Sequence, residues 1–148
     1  MRTRLSLLSL LTCVLVLGSI ACGSSGQEAV STSAPSETGT YTTVDVQTAY
    51  DQLSAGDGAQ LVDVREPSEW AATGVPPGAL LIPLVEVEQR APAELAMDRP
   101  VYVLCNTGNR SRTAADTLVR LGYTQVYNVQ GGIRAWIRAG LPVEAYQP

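Results

Sequence analysis

The stretch Pro100-Val-Tyr-Val-Leu-Cys105-Asn-Thr-Gly-Asn-Arg110-Ser-Arg112 decides the fold. Its first half is an uninterrupted apolar run rich in β-branched residues, which predicts a buried strand. A polar turn containing Gly108 follows. From Arg110 to Leu121, Ala114, Leu118 and Leu121 fall on one face and Gly122 supplies a stop, the pattern of an amphipathic helix. A strand feeding straight into a helix is the repeating unit of a parallel sheet. Working outward, further strands are expected at Thr42 to Val46, Gln60 to Arg65, Leu80 to Leu84 and Gln125 to Gln130. Helices are expected at Val46 to Ala55, at Pro67 to Thr73 with Pro67 suited to a first turn, and at Ile133 to Ala139 with Trp136 inward. The expected fold is α/β, a mostly parallel five-stranded sheet with helices on both faces.

The chain has 148 residues, 45% of them hydrophobic and 16% charged, enough for one globular domain. Arg2 and Arg4 precede an apolar run, Leu5 to Ile20, shorter than the roughly 20 residues that span a bilayer, so residues 1–21 are expected to be a secretory signal. Ser19-Ile20-Ala21-Cys22 places a small residue before a cysteine, the arrangement of a lipidated N-terminus, and Cys22 is the expected lipidation site. Residues 22–40 are rich in Ser, Thr, Gly and Pro with little to bury, the composition of a flexible linker. The expected protein is therefore an exported, extracytoplasmic domain, residues 41–148, tethered to a membrane through Cys22.

Loss of Arg2 and Arg4 would take the net charge from −4 to −6, which argues against nucleic acid as a partner. There is no histidine, and all ten basic residues are arginine. This excludes Cys-His dyads, Ser-His-Asp triads, histidine metal sites and Schiff-base lysines. Of three cysteines, Cys13 falls in the signal and Cys22 at the anchor, leaving Cys105 as the one free thiol. Exported proteins seldom keep such a thiol without a use, because oxidising compartments consume it.

Cys105 stands where a buried strand ends and a helix begins, the usual place for ligands in open parallel sheets. Unpaired amides at the helix start favour a thiolate there, and Arg110 and Arg112 add fixed positive charge within a few residues. Gly108 lets the backbone curl so that its amides converge on the sulfur or on an anion. The competing view, that Cys105 is a small hydrophobe ending a strand, fits poorly with so polar a context. Arg112 reads as a solvated helix residue outside the site. Trp70 and Trp136 read as core.

At this loop the chain resembles the rhodanese family. Leu61-Val-Asp-Val-Arg-Glu66 with Glu69-Trp70 and Gly74 through Ala79 is similar to that family's first signature. Gly131-Gly132-Ile-Arg-Ala-Trp136 with Gly140-Leu-Pro-Val143 is similar to its last. The resemblance spans Tyr41 to Val143 and departs at Val75, where the family often carries histidine. It implies a rhodanese-like fold and a sulfurtransferase in which Cys105 takes a sulfane sulfur from a small anionic donor such as thiosulfate. Cys105 would hold that sulfur as a persulfide and pass it to cyanide or a thiol. Asn106, Thr107, Gly108, Asn109 and Arg110 would cradle donor and persulfide. No metal or organic cofactor is implied. Asp63, Arg65 and Glu66 are expected to form an ion-pair set orienting the turn after their strand.

Two rivals compete with this expectation. A Cys-dependent phosphatase also cradles its thiolate in loop amides with an arginine. Here, however, arginines lie five and seven positions after Cys105 and the sixth is Ser111, one residue short of that loop. The other rival is a rhodanese-like binding or sulfur-carrier module without turnover.

Overall fold

The computed structural model of the chain describes residues 40–148. The expected signal, nearly all of the expected linker and Cys22 lie outside the described residues. Five strands form one sheet: β1 Thr42–Val44, β2 Gln60–Asp63, β3 Leu80–Leu81, β4 Val101–Leu104 and β5 Val126–Val129. They are ordered β1-β5-β4-β2-β3, and every pairing is parallel. The helices are α1 Val46–Ser54, α2 Pro67–Thr73, α3 Val87–Glu94, α4 Asn109–Arg120 and α5 Gly132–Arg138.

Strand alternation sorts the core into two layers. Val62, Val101, Val103, Cys105 and Val126 turn toward one face, where Val87 and Ala91 of α3 and Ala114 and Leu118 of α4 cover them. Leu61, Tyr102, Leu104 and Val129 turn toward the other, covered by Val46 and Ala49 of α1 and Ile133 and Trp136 of α5. Cys105 thus shares the α4 side of the sheet with Val101 and Val103, four and two residues earlier. β4 is the central strand and is buried along its whole length.

The expected strands are there; β1, β2 and β3 start where expected and stop early, β3 keeping only Leu80–Leu81, while β4 and β5 lose one residue at each end. No element was expected between Leu84 and Pro100, yet a 3-10 turn at Leu84–Glu86 leads into α3. Pro92 hides α3 from a sequence reading, because an interior proline deletes a helical hydrogen bond. Burial at Val87, Ala91 and Leu95, four residues apart, compensates. The Tyr123 hydroxyl also lies 2.8 Å from the Ala91 carbonyl and 3.1 Å from that of Leu95.

Asp63 and Arg65 are wholly buried and paired at 2.6 Å. Arg65 also donates to the Thr73 hydroxyl at 2.6 Å and to the Gly74 carbonyl at 2.8 Å. The pair ties the end of β2 to the far end of α2. Glu66 takes a different part from the one expected: it stands at the N-cap of α2, its backbone amide donating to Glu69 at 3.1 Å.

Candidate active site

Cys105 is the first residue after the central strand, and its side chain lies beneath the loop that follows, with 1% of the residue exposed. Gly108 turns the loop back over it. With φ at 98° the glycine adopts the left-handed conformation that other residues resist, and its amide donates to Sγ at 3.1 Å. Helix α4 starts at Asn109, one residue earlier than expected, so the true loop is Cys105 to Gly108.

A hydroxyl completes the sulfur's surroundings. Ser111 Oγ, on the first turn of α4, is 3.4 Å from Sγ, and it also donates to Asn128 Oδ1 at 2.6 Å. Asn128 in turn donates to Thr43 Oγ1 at 3.3 Å. A chain of polar groups therefore runs from the exposed Thr43 of β1 through the buried Asn128 and Ser111 to the thiol. Burial pushes the Cys105 pKa up, but hydrogen bonds from the Ser111 hydroxyl and from the Ser111, Gly108 and Thr107 amides outweigh it. The thiol is left below its ordinary value. Hydrogen bonding to the charged form thus supplies the activation that a missing histidine cannot.

The other expected site residues divide. Gly108, and Thr107 through its amide, face the sulfur. Asn106 is half-buried and accepts from the Arg134 amide at 3.3 Å. Asn109 is exposed and accepts from Arg112 at 2.5 Å. Arg110 turns toward α2, where both its terminal nitrogens meet the Glu69 carboxylate at 2.7 Å. Its pKa is raised first by Glu69, with a smaller push from Cys105, while the same bonds hold Glu69 below the usual carboxylate range.

Sequence reasoning missed Ser111 and Asn128. Asn128 carried a signal, being the one polar residue in the strand Val126-Tyr-Asn-Val129, where a buried amide needs partners. The role of the Gly131-Gly132 pair was also invisible. Ile133, in the first turn of α5, donates its amide to the Cys105 carbonyl at 2.8 Å. A Cβ on Gly132 would collide with that same carbonyl, so only glycine lets α5 approach the loop. Val75, where histidine was the family expectation, is buried and pairs its backbone with Glu144.

A larger cavity, about 400 Å³, lies elsewhere, between α1 and α5 among Tyr50, Leu53, Ala59 and Trp136. Ser54 and Leu61 also border it, and neither Cys105 nor any residue of the thiol loop does.

Comparison with known proteins places these features in context. The sequence profile of the Rhodanese-like domain matches residues 45–139. A sulfurtransferase of Allochromatium vinosum is 38% identical over 102 residues, which cover 69% of this chain and 94% of that protein. The thiosulfate sulfurtransferase GlpE of Vibrio cholerae is 40% identical over 87 residues, 59% of this chain and 80% of that one. Among solved structures, a rhodanese-related protein from Thermoplasma volcanium superposes with a TM-score of 0.64 at 32% identity, covering 72% of this chain and all of that one.

Proposed function

Because this chain belongs to the rhodanese-like family, we propose that it is a sulfurtransferase moving a sulfane sulfur through a persulfide on Cys105. The observation that carries this reading is the sulfur's own environment. A buried thiol held below its ordinary pKa by amides and a hydroxyl is prepared as a nucleophile. The thiolate would attack the outer sulfur of a donor such as thiosulfate. The bond between that sulfur and the sulfonate breaks, sulfite leaves with the electron pair, and Cys105 keeps a persulfide anion. Transfer of the outer sulfur to cyanide or to a thiol returns the thiolate. The loop amides that now face Sγ would face the added sulfur in the loaded state.

Intact mass of the full chain tests loading and transfer in one sample. Thiosulfate should add one sulfur atom, cyanide should remove it as thiocyanate, and Cys105→Ser should do neither while keeping its fold. Loading without turnover on any acceptor would favour a sulfur carrier. Hydrolysis of aryl phosphates with no response to thiosulfate would favour a phosphatase.

We further propose that the protein works outside the cytoplasm, held to a membrane by lipid on Cys22. The apolar run behind Arg2 and Arg4 and the Ala21-Cys22 junction support this. Cell fractionation is the check: Cys22→Ala should move the protein from membranes to the soluble fraction. Retention of the variant on membranes would remove the lipid reading and leave the sulfur chemistry untouched.

A further inference from the structure

The thiol loop has two flanks, set by the sheet order. On the β2 side it meets α2, and there Arg110 is neutralised by Glu69 through two bonds of 2.7 Å. On the β5 side the loop borders a cavity of about 220 Å³. Thr43 of β1, Thr107, Asn109, Arg112 of α4, Asn128 and Gln130 line it, and no carboxylate does. Arg112 forms no ion pair among the described residues; its one side-chain bond is to the neutral Asn109 amide oxygen.

The donors around this cavity are largely unspent. The amide nitrogen of Asn109, that of Gln130 and the hydroxyl of Thr107 donate to nothing among the described residues, and Thr43 only accepts. A space lined by a guanidinium, amide nitrogens and hydroxyls, with no acid to neutralise them, is complementary to an oxyanion. It also borders the thiol loop. Gly108, whose amide meets Sγ, forms part of its wall, and Asn128 is one hydroxyl away from Sγ.

We propose that this cavity is an oxyanion subsite with Arg112 as its charged group. On the sulfur-transfer reading, which this assignment builds on, it takes the sulfonate end of thiosulfate. It then holds the sulfite that leaves when the sulfur–sulfur bond breaks. Arg112, not the neutralised Arg110, supplies the charge for that end of the donor.

The test uses the full chain and two probes. In Cys105→Ser, which has no thiol to load, sulfite should shift the side-chain amide signals of Asn109, Asn128 and Gln130 in a saturable manner. Adding Arg112→Gln should abolish those shifts. In the chain with its thiol intact, Arg112→Gln should raise the KM for thiosulfate about tenfold, and Arg112→Lys should recover most of the loss. Alkylation by uncharged iodoacetamide should stay within about twofold of wild type, since the thiol itself is not the target. Sulfite shifts that are absent, or unchanged by Arg112→Gln, overturn the subsite. So does an equal fall in thiosulfate use and iodoacetamide alkylation, which would mean Arg112 acts on the thiol. Specific sulfite binding in a chain that loads sulfur from no donor would uphold the subsite and overturn only the sulfur-transfer reading.

Discussion

At the scale of single residues, the Gly108 amide and the Ser111 hydroxyl stand 3.1 and 3.4 Å from the Cys105 sulfur. Ser111 is the side chain among them, and the Asn128 amide fixes where its hydroxyl sits. When the sulfur is protonated, Cys105 can donate to Ser111 while Ser111 donates to Asn128. When it is ionised, rotation of the Ser111 hydroxyl toward sulfur gives the thiolate a side-chain donor beside the loop amides. Ser111→Ala should therefore raise the midpoint of alkylation with pH. At neutral pH it should slow alkylation by roughly ten- to a hundredfold, the order expected for a hydrogen bond to a charged group worth about 1.5–3 kcal/mol. A wild-type midpoint with Ser111→Ala would transfer the whole effect to the backbone amides. An Asn128→Ala variant that shifts the midpoint in the same direction but less far would support the chain from β5.

At the scale of elements, Glu69 does two jobs that join α2 to α4. Its carboxylate accepts from the Glu66 amide at the start of α2 and holds Arg110 at the start of α4. The side chains of the pair are about one-third exposed, so the ion pair itself contributes little. Glu69→Ala should cost about 1 kcal/mol, chiefly from the lost cap, measured by denaturant unfolding. The same change frees the Arg110 charge near the thiol and should lower the alkylation midpoint. A midpoint that rises or stays put would show that Arg110 exerts no field at the sulfur. Helix α5 acts on the other end of the loop, since its first amides hold the Cys105 and Asn106 carbonyls. The loop is thus clamped by α4 ahead and α5 behind, which suits a site whose amides must point at one atom.

At the scale of the molecule, the sheet carries a buried charge pair near one end of β2 and a buried thiol at the end of β4. Asp63 and Arg65 are fully buried, and removal of either partner leaves an uncompensated charge. The thiol couples stability to pH in a definite direction. Its folded pKa lies below the ordinary value, so the folded state holds the thiolate in preference to the unfolded chain. That contribution is full above the unfolded pKa, about 8.5, and is lost as pH falls through the folded value. Between about pH 9 and pH 6, the Tm of the wild type should therefore fall more than that of Cys105→Ser. Parallel Tm curves for the two proteins would mean that the fold does not prefer the thiolate.

The sequence by itself determined the order of strands and helices, the alternation that sorts the two faces, and the place of Cys105 at a strand end. Those features are local, written in periods of two and 3.6 residues and in the glycines that stop helices. It also marked Cys105 as the one cysteine of the expected folded domain and Arg110 as a nearby charge. Helix α3 escaped because Pro92 contradicts its own helix, and only packing of Val87, Ala91 and Leu95 makes that helix worthwhile. The partners that define the site were decided by the tertiary structure. Arg110 meets Glu69 41 residues away, and Ser111 meets Asn128 17 residues away. Arg112, read as a solvated residue, borders a cavity built partly from β1 and β5. Such contacts depend on which strands become neighbours, and the pairing of β4 with β5 and β5 with β1 has no counterpart in local periodicity. Which arginine is neutralised and which keeps its charge is therefore set by strand order, not by distance along the chain from Cys105.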